Sequence, residues 1–280
     1  MSPDPDGPQH LHDLVEAFAQ TAQAVVDLAR TCSDDDLAKP TDCPGWTVHD
    51  QISHVAGVEA WLLGHKDPRV EMPHYDHIRN DLGKRVEYAV ELRRARTGAD
   101  VVSELEDVLA QRLSTLRDPG LTDTDSIRGP FGPDHAATVM LLRTVDVWTH
   151  EQDIRNALGR PGDLDSPAAA VFVKAVMLQL PKLIAKHAGL EPGDTVIVDV
   201  VGPTAARQGV RVEVDPQGRL RGHAVRTDDV PSLVRCTISV STEAFTRRAA
   251  GRRSVSDTAY DVVGDDATAR RVVEALVVTH

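Results

Sequence analysis

Apolar residues recur at three- and four-residue intervals through most of the first 190 positions, the spacing that lines one face of a helix. Leu14, Phe18, Ala22, Val25 and Leu28 form such a face and predict a helix over 11–29. Ser33, ahead of three aspartates, reads as a cap on a short helical turn. Thr47, with Asp50 three residues on, predicts the start of a second helix, which Gly64 ends. A third helical region covers 82–117 with a break near Gly98, and 119–133 reads as loop because Gly, Pro and Asp crowd it. A fourth helix follows Pro133 and ends at Gly159, and a fifth spans 166–186. Beyond Gly189 the period changes to two. The stretches 195–201 and 209–214 alternate as strands and 234–240 is a third candidate, with helices over 243–250 and 267–277. Residues 1–10, with three prolines and a glycine, are expected to be loose.

Four long helices with short connections predict an antiparallel bundle, and the later segments predict a small α+β domain. The expected organisation is a bundle over 1–165, a bridging helix over 166–190 and the small domain over 191–280.

The fourth helix carries the candidate chemistry. Its stripe runs Val139, Leu142, Asp146, His150, Asp153, Ala157. The ends are apolar and face a core, while the middle is a carboxylate, an imidazole and a second carboxylate. Such groups are costly to bury without partners, and a metal ion satisfies a carboxylate and a neutral imidazole together. The plainer reading is a salt-bridged pair on a wet helix surface. On the second helix His54 shares a mostly apolar face with Gln51, Val58 and Trp61. His54, Asp146 and His150 together would make a three-ligand set with one vacant position, the pattern of catalytic rather than structural zinc. The other candidates rank lower. His49 lies on a different face of its helix, His65, His74 and His77 lie in a loop that could fold over the bundle mouth, and His135 opens the fourth helix. Asp153 or Glu151 could hydrogen-bond a ligand imidazole, though Glu151 reads as a solvated charge.

Composition narrows the function classes. With 31 basic and 43 acidic residues the net charge is −12, which does not suit nucleic acid or an anionic membrane as a partner. No apolar run reaches the ~20 residues of a membrane span, and the N-terminus lacks a secretion signal. The three cysteines, Cys32, Cys43 and Cys236, are scattered and suggest neither a disulfide frame nor a thiolate metal site. A cytoplasmic location is expected.

The run TDCPGWTV at 41–48, followed by His54, resembles the hallmark of the mycothiol-dependent maleylpyruvate isomerase family, within the DinB-like superfamily of metal-binding four-helix bundles. HIRNDLG at 77–83, DVWTHEQDIRNALGRPG at 146–162 and VVGDDATARRVVEAL at 262–276 extend the likeness over nearly the whole chain. The resemblance implies a metal triad of a His on the second helix and a Glu-x-x-x-His on the fourth. His54 and His150 match the histidines, and Asp146 stands where the family has Glu. It also implies mycothiol as the thiol cofactor, activated as a metal-bound thiolate for isomerisation of, or S-transfer to, a small electrophile. An arginine of the C-terminal domain would assist by pairing with substrate carboxylates, and Arg252 or Arg253 is the candidate. The expected partners are mycothiol and a small-molecule substrate, and the expected ion is zinc.

Three readings follow. The first is a metal- and mycothiol-dependent isomerase or S-transferase. The second is a metal-dependent hydrolase without a thiol, for which Asp153 would be the general base. The third is a binding module that captures a small molecule without chemistry.

Overall fold

A computed structural model describes residues 10–226 and 234–278. The loose N-terminal stretch expected over 1–10 therefore lies, up to residue 9, outside the described residues. The chain divides after Gly162 into two compact units.

The first unit is helical. Helices α1 (Leu11–Arg30), α3 (Val48–Leu62), α5 (Gly98–Leu116) and α6 (Ala136–Leu158) form a closed ring. In it α1 packs on α5 and α6, and α3 packs on the same two. The short α2 (Asp34–Leu37) precedes α3, and α4 (Asp81–Arg94) lies against α3 outside the ring. The third helical region of the sequence thus divides at Thr97, whose side chain caps α5, and only its second half joins the bundle. Both predicted caps form as capping boxes. Ser33 pairs reciprocally with Asp36, and Thr47 with Asp50, so orphan donors at each helix start are satisfied.

The segment 119–133, expected as loop, contains the start of a hairpin. Strand β1 (Ser126–Gly129) pairs antiparallel with β2 (Gly132–His135) across Pro130 and Phe131. Its Gly and Pro residues hid it. Both strands are edges, where Pro133 removes no needed hydrogen bond. A Cβ on Gly129 would come within 2.8 Å of Val139 and 2.9 Å of the Gly132 carbonyl, so the ribbon sits close on α6.

In the second unit α7 (Pro167–His187) lies on a five-stranded sheet of order β5-β4-β3-β6-β7. The strands are β3 (Thr195–Val201), β4 (Ala206–Val214), β5 (Leu220–Val225), β6 (Cys236–Ser241) and β7 (Tyr260–Gly264). Strands β3 and β6 are parallel and the other pairs antiparallel. Val196, Val198 and Val200 are buried, with Val210, Val212, Ile238 and Val240 beside them on neighbouring strands. Helices α8 (Thr242–Ala249) and α9 (Asp266–Ala275) pack on the sheet and on α7. The missed strands β5 and β7 are the two edges, largely exposed, so their sequences lack the alternation that marks a half-buried strand.

Pro181 stands inside α7 and cannot bond the carbonyl four residues back. That carbonyl, of Met177, instead accepts from the Gln208 side chain of β4 at 3.0 Å. Strand β5 meets the helix at the same point. A Cβ on Gly222 would lie 2.0 Å from the Pro181 carbonyl oxygen, so only glycine allows this approach. Helix α7 is also long and apolar enough to cross a membrane by length and composition, which corrects the reading that no run approaches that length. About half of that apolar stretch is buried, as suits a helix with one face on a sheet.

Candidate metal centre

The TDCPGW motif is a turn that delivers an aromatic wall. Trp46 donates its backbone N–H to the Cys43 carbonyl at 3.1 Å, and Gly45 between them has φ +80°. Pro44 followed by a left-handed glycine is the signature of a type II turn. Gly45 is required twice over, because a Cβ there would lie 2.4 Å from the His77 ring. Trp46 stacks at a tilt on both His54 and His150, with centroids 5.1 and 5.7 Å away. Its indole N–H donates to Glu87 at 2.9 Å, and Glu87 also accepts from His77 at 2.8 Å and Arg94 at 2.6 Å. The loop with His77 thus closes on the motif, while His65 and His74 stay exposed.

Against this wall the ring of helices brings the three sequence-predicted ligands together. His54 comes from α3, and Asp146 and His150 from successive turns of α6. One donor atom from each lies within 4.8 Å of the others. His54 Nε2 is 3.1 Å from Asp146 Oδ2, and His150 Nε2 is 3.7 Å from Asp146 Oδ1. An ion bonded tetrahedrally at about 2.1 Å to each donor needs separations of about 3.4 Å, and the two distances, each to a different Asp146 oxygen, lie on either side of that value. The two imidazoles are nearly enclosed, whereas the Asp146 side chain keeps 37% exposure, so the cluster opens on one side.

The protonation states suit a cation. Burial, reinforced by the charge of His150, pushes His54 down to about 4 against the pull of Asp146, so it is neutral at physiological pH. Burial works against ionisation of Asp146, but Arg143 and then the two imidazoles hold its carboxyl well below the usual range. Burial also opposes charge on His150, yet Asp146 and Asp153 outweigh it and raise the ring above its ordinary 6.5. His54 Nδ1 is buried and has no hydrogen-bond partner among the described residues. A neutral imidazole beside an ionised carboxylate fits a divalent ion better than it fits an internal salt bridge.

A raised His150 gives a sign for pH dependence. The ligand form is the neutral ring, so a metal must displace the proton. Apparent affinity is expected to fall about tenfold for each pH unit below the His150 pKa. A cobalt titration at pH 6 and pH 8 checks this, and equal affinities would contradict it.

Sequence reasoning missed three supporting residues. Arg143 is fully buried on α6. It donates Nη1 to Asp146 Oδ2 at 2.7 Å and Nε to Glu59 at 2.7 Å, and Glu59 also accepts from Arg112 at 3.0 Å. The i,i+3 spacing of Arg143 and Asp146 was the available signal. Gln51 accepts from His150 Nδ1 at 2.5 Å. Trp46 is legible in the sequence only as part of the TDCPGWTV motif. Glu151, expected to be solvated, is fully buried and accepts from Thr21 of α1 and Arg155. The reason is that α6 packs on two ring neighbours, so most positions from Arg143 to Ile154 are buried whatever their polarity.

Asp153, the predicted general base, flanks the cluster. Asp153 is fully buried beside the Nδ1 edge of His150, at 3.6 Å, while Asp146 is nearest the Nε2 edge. Arg252 and Arg253 belong to the second unit. Arg253 makes a two-pronged pair with Glu243 at 2.8 and 2.5 Å, and Arg252 donates to the Ala250 carbonyl at 3.2 Å. His49 is half-buried beside Ser53, and His135 is exposed.

A helical bundle with a His–Asp–His cluster, followed by an α+β unit, defines the class. The family model described as the mycothiol maleylpyruvate isomerase N-terminal domain matches residues 18–155. The helical unit is thus similar to the N-terminal domain of the mycothiol-dependent maleylpyruvate isomerase family, over just under half of the chain. The crystal structure of a point mutant of the mycothiol-dependent maleylpyruvate isomerase is similar at a TM-score of 0.51 and 15% identity, covering 91% of this chain and 94% of that one. The unsubstituted enzyme's structure aligns at a TM-score of 0.48 and 16% identity, covering 89% and 91%. At that identity the first likeness shows a shared fold. No curated protein matches the sequence.

Proposed function

We propose that the protein is a metal-dependent enzyme that uses mycothiol for isomerisation of, or S-transfer to, a small electrophile. The observation that carries this is the cluster itself: two imidazoles and one carboxylate from two helices, within ligand reach of one another and open on one side. His54, Asp146 and His150 would hold the ion, with zinc the first candidate. A divalent cation with a vacant position supplies a Lewis acid that lowers the pKa of a bound thiol, so its sulfur is nucleophilic at neutral pH. Around it the chain excludes water with Trp46 and fixes the carboxylate through Arg143. Assistance from Arg252 or Arg253 and a cytoplasmic location belong to the same reading.

The hydrolase reading needs a base facing the vacant position. Asp153 is fully buried at the Nδ1 edge of His150, away from that opening, which favours the thiol reading. A ligand that occupies the ion must stabilise the fold. Mycothiol at about 100 times its Kd is expected to add roughly 2.7 kcal/mol to the zinc-loaded protein. That should raise the melting midpoint by several degrees, and do nothing for His150→Ala. No shift at millimolar thiol in the loaded protein would overturn the reading.

A further inference from the structure

Gln51 lies on α3 one turn before His54 and is fully buried. Its side chain links the TDCPGW turn to the fourth helix. The Thr41 hydroxyl donates its single proton to the Trp46 carbonyl at 2.9 Å. Toward Gln51 that oxygen can therefore only accept, and it takes the amide N–H at 2.8 Å. The direction of the amide is then determined. Its NH2 faces Thr41, with Asp153 Oδ2 a further 3.5 Å from the same nitrogen, and its carbonyl faces His150. A carbonyl only accepts, so the proton between Gln51 and His150 must sit on Nδ1.

We infer that Gln51 is the positioning residue for His150, fixing the ring in the Nδ1–H tautomer so that the Nε2 lone pair faces Asp146 and His54. This rests on the metal reading and adds to it. Ligand imidazoles are oriented by the partner of their other nitrogen, and here that partner is an amide from the facing helix rather than either carboxylate flanking His150. The hydroxyl of Thr41 holds Gln51 in turn. The turn that supplies the Trp46 wall thus also sets the face of a ligand on α6, with α3, α4 and α5 between them in sequence.

The test has two readouts. In metal-free protein, at a pH where His150 is neutral, proton–nitrogen correlation spectra are expected to show Nδ1–H in the wild type and in Gln51→Glu, which keeps an acceptor oxygen. Gln51→Met is expected to give a mixture of tautomers. In cobalt titrations Gln51→Met should bind about 10–100-fold more weakly and with an altered visible spectrum, while Gln51→Glu recovers most of that loss. An Nε2–H tautomer in the wild type, or a Gln51→Met protein with unchanged cobalt affinity and spectrum, overturns the inference. The wild-type titration separates the two failures. A wild type that binds no cobalt overturns the metal reading and the positioning role with it, whereas binding that Gln51 does not affect overturns the positioning role alone.

Discussion

Purified His150→Ala protein is expected to carry less than about a tenth of an ion per chain, where the wild type carries about one. The expectation follows from the ligand count. With His150 gone, His54 and one oxygen of Asp146 are what remains of the cluster among the described residues. The Asp146 oxygen nearest His54, Oδ2, also accepts from Arg143 at 2.7 Å. Two protein ligands, one of them partly neutralised by an arginine, do not hold zinc through purification. His54→Ala should behave alike. Elemental analysis of the dialysed proteins checks both. Wild-type metal content in either variant would place the ion elsewhere.

Glu59→Ala is expected to destabilise the helical unit by about 3–5 kcal/mol, the range for removing one partner of a buried ion pair. Glu59 is fully buried and each of its oxygens takes one arginine, Arg112 from α5 and Arg143 from α6. Without it two buried guanidinium groups lose this countercharge, and Arg143 keeps Asp146 as its ion-pair partner among the described residues. All three tryptophans, Trp46, Trp61 and Trp148, lie in this unit, so their fluorescence during urea unfolding reports on it selectively. Glu59→Gln keeps an acceptor and should lose less. A loss below about 1 kcal/mol in Glu59→Ala would mean that water already compensates the arginines.

The cluster was legible because helical spacing is rigid. Asp146 and His150 four apart must share a face, and His54 stood out as a polar residue on an apolar one. The helix caps were legible for the same local reason. What surrounds the ligands was not. The Gln51–His150 and Glu59–Arg143 bonds join residues 99 and 84 positions apart, and no local pattern encodes them. Glu151 was misread because its partner Thr21 lies 130 residues away and a helix packed on two neighbours has no solvent face to identify. The edge strands β5 and β7 and the β1–β2 ribbon escaped because pairing, rather than side-chain burial, holds them. The Pro-Gly turn could be read from its residues. Its purpose, seating Trp46 on two imidazoles, required the fold.

X-ray absorption at the zinc edge tests the central claim most directly. The loaded protein is expected to show about two imidazole nitrogens and one carboxylate oxygen at roughly 2.0–2.2 Å, with a sulfur at about 2.3 Å once mycothiol is added. A first shell without imidazole, or one that mycothiol leaves unchanged, would contradict it.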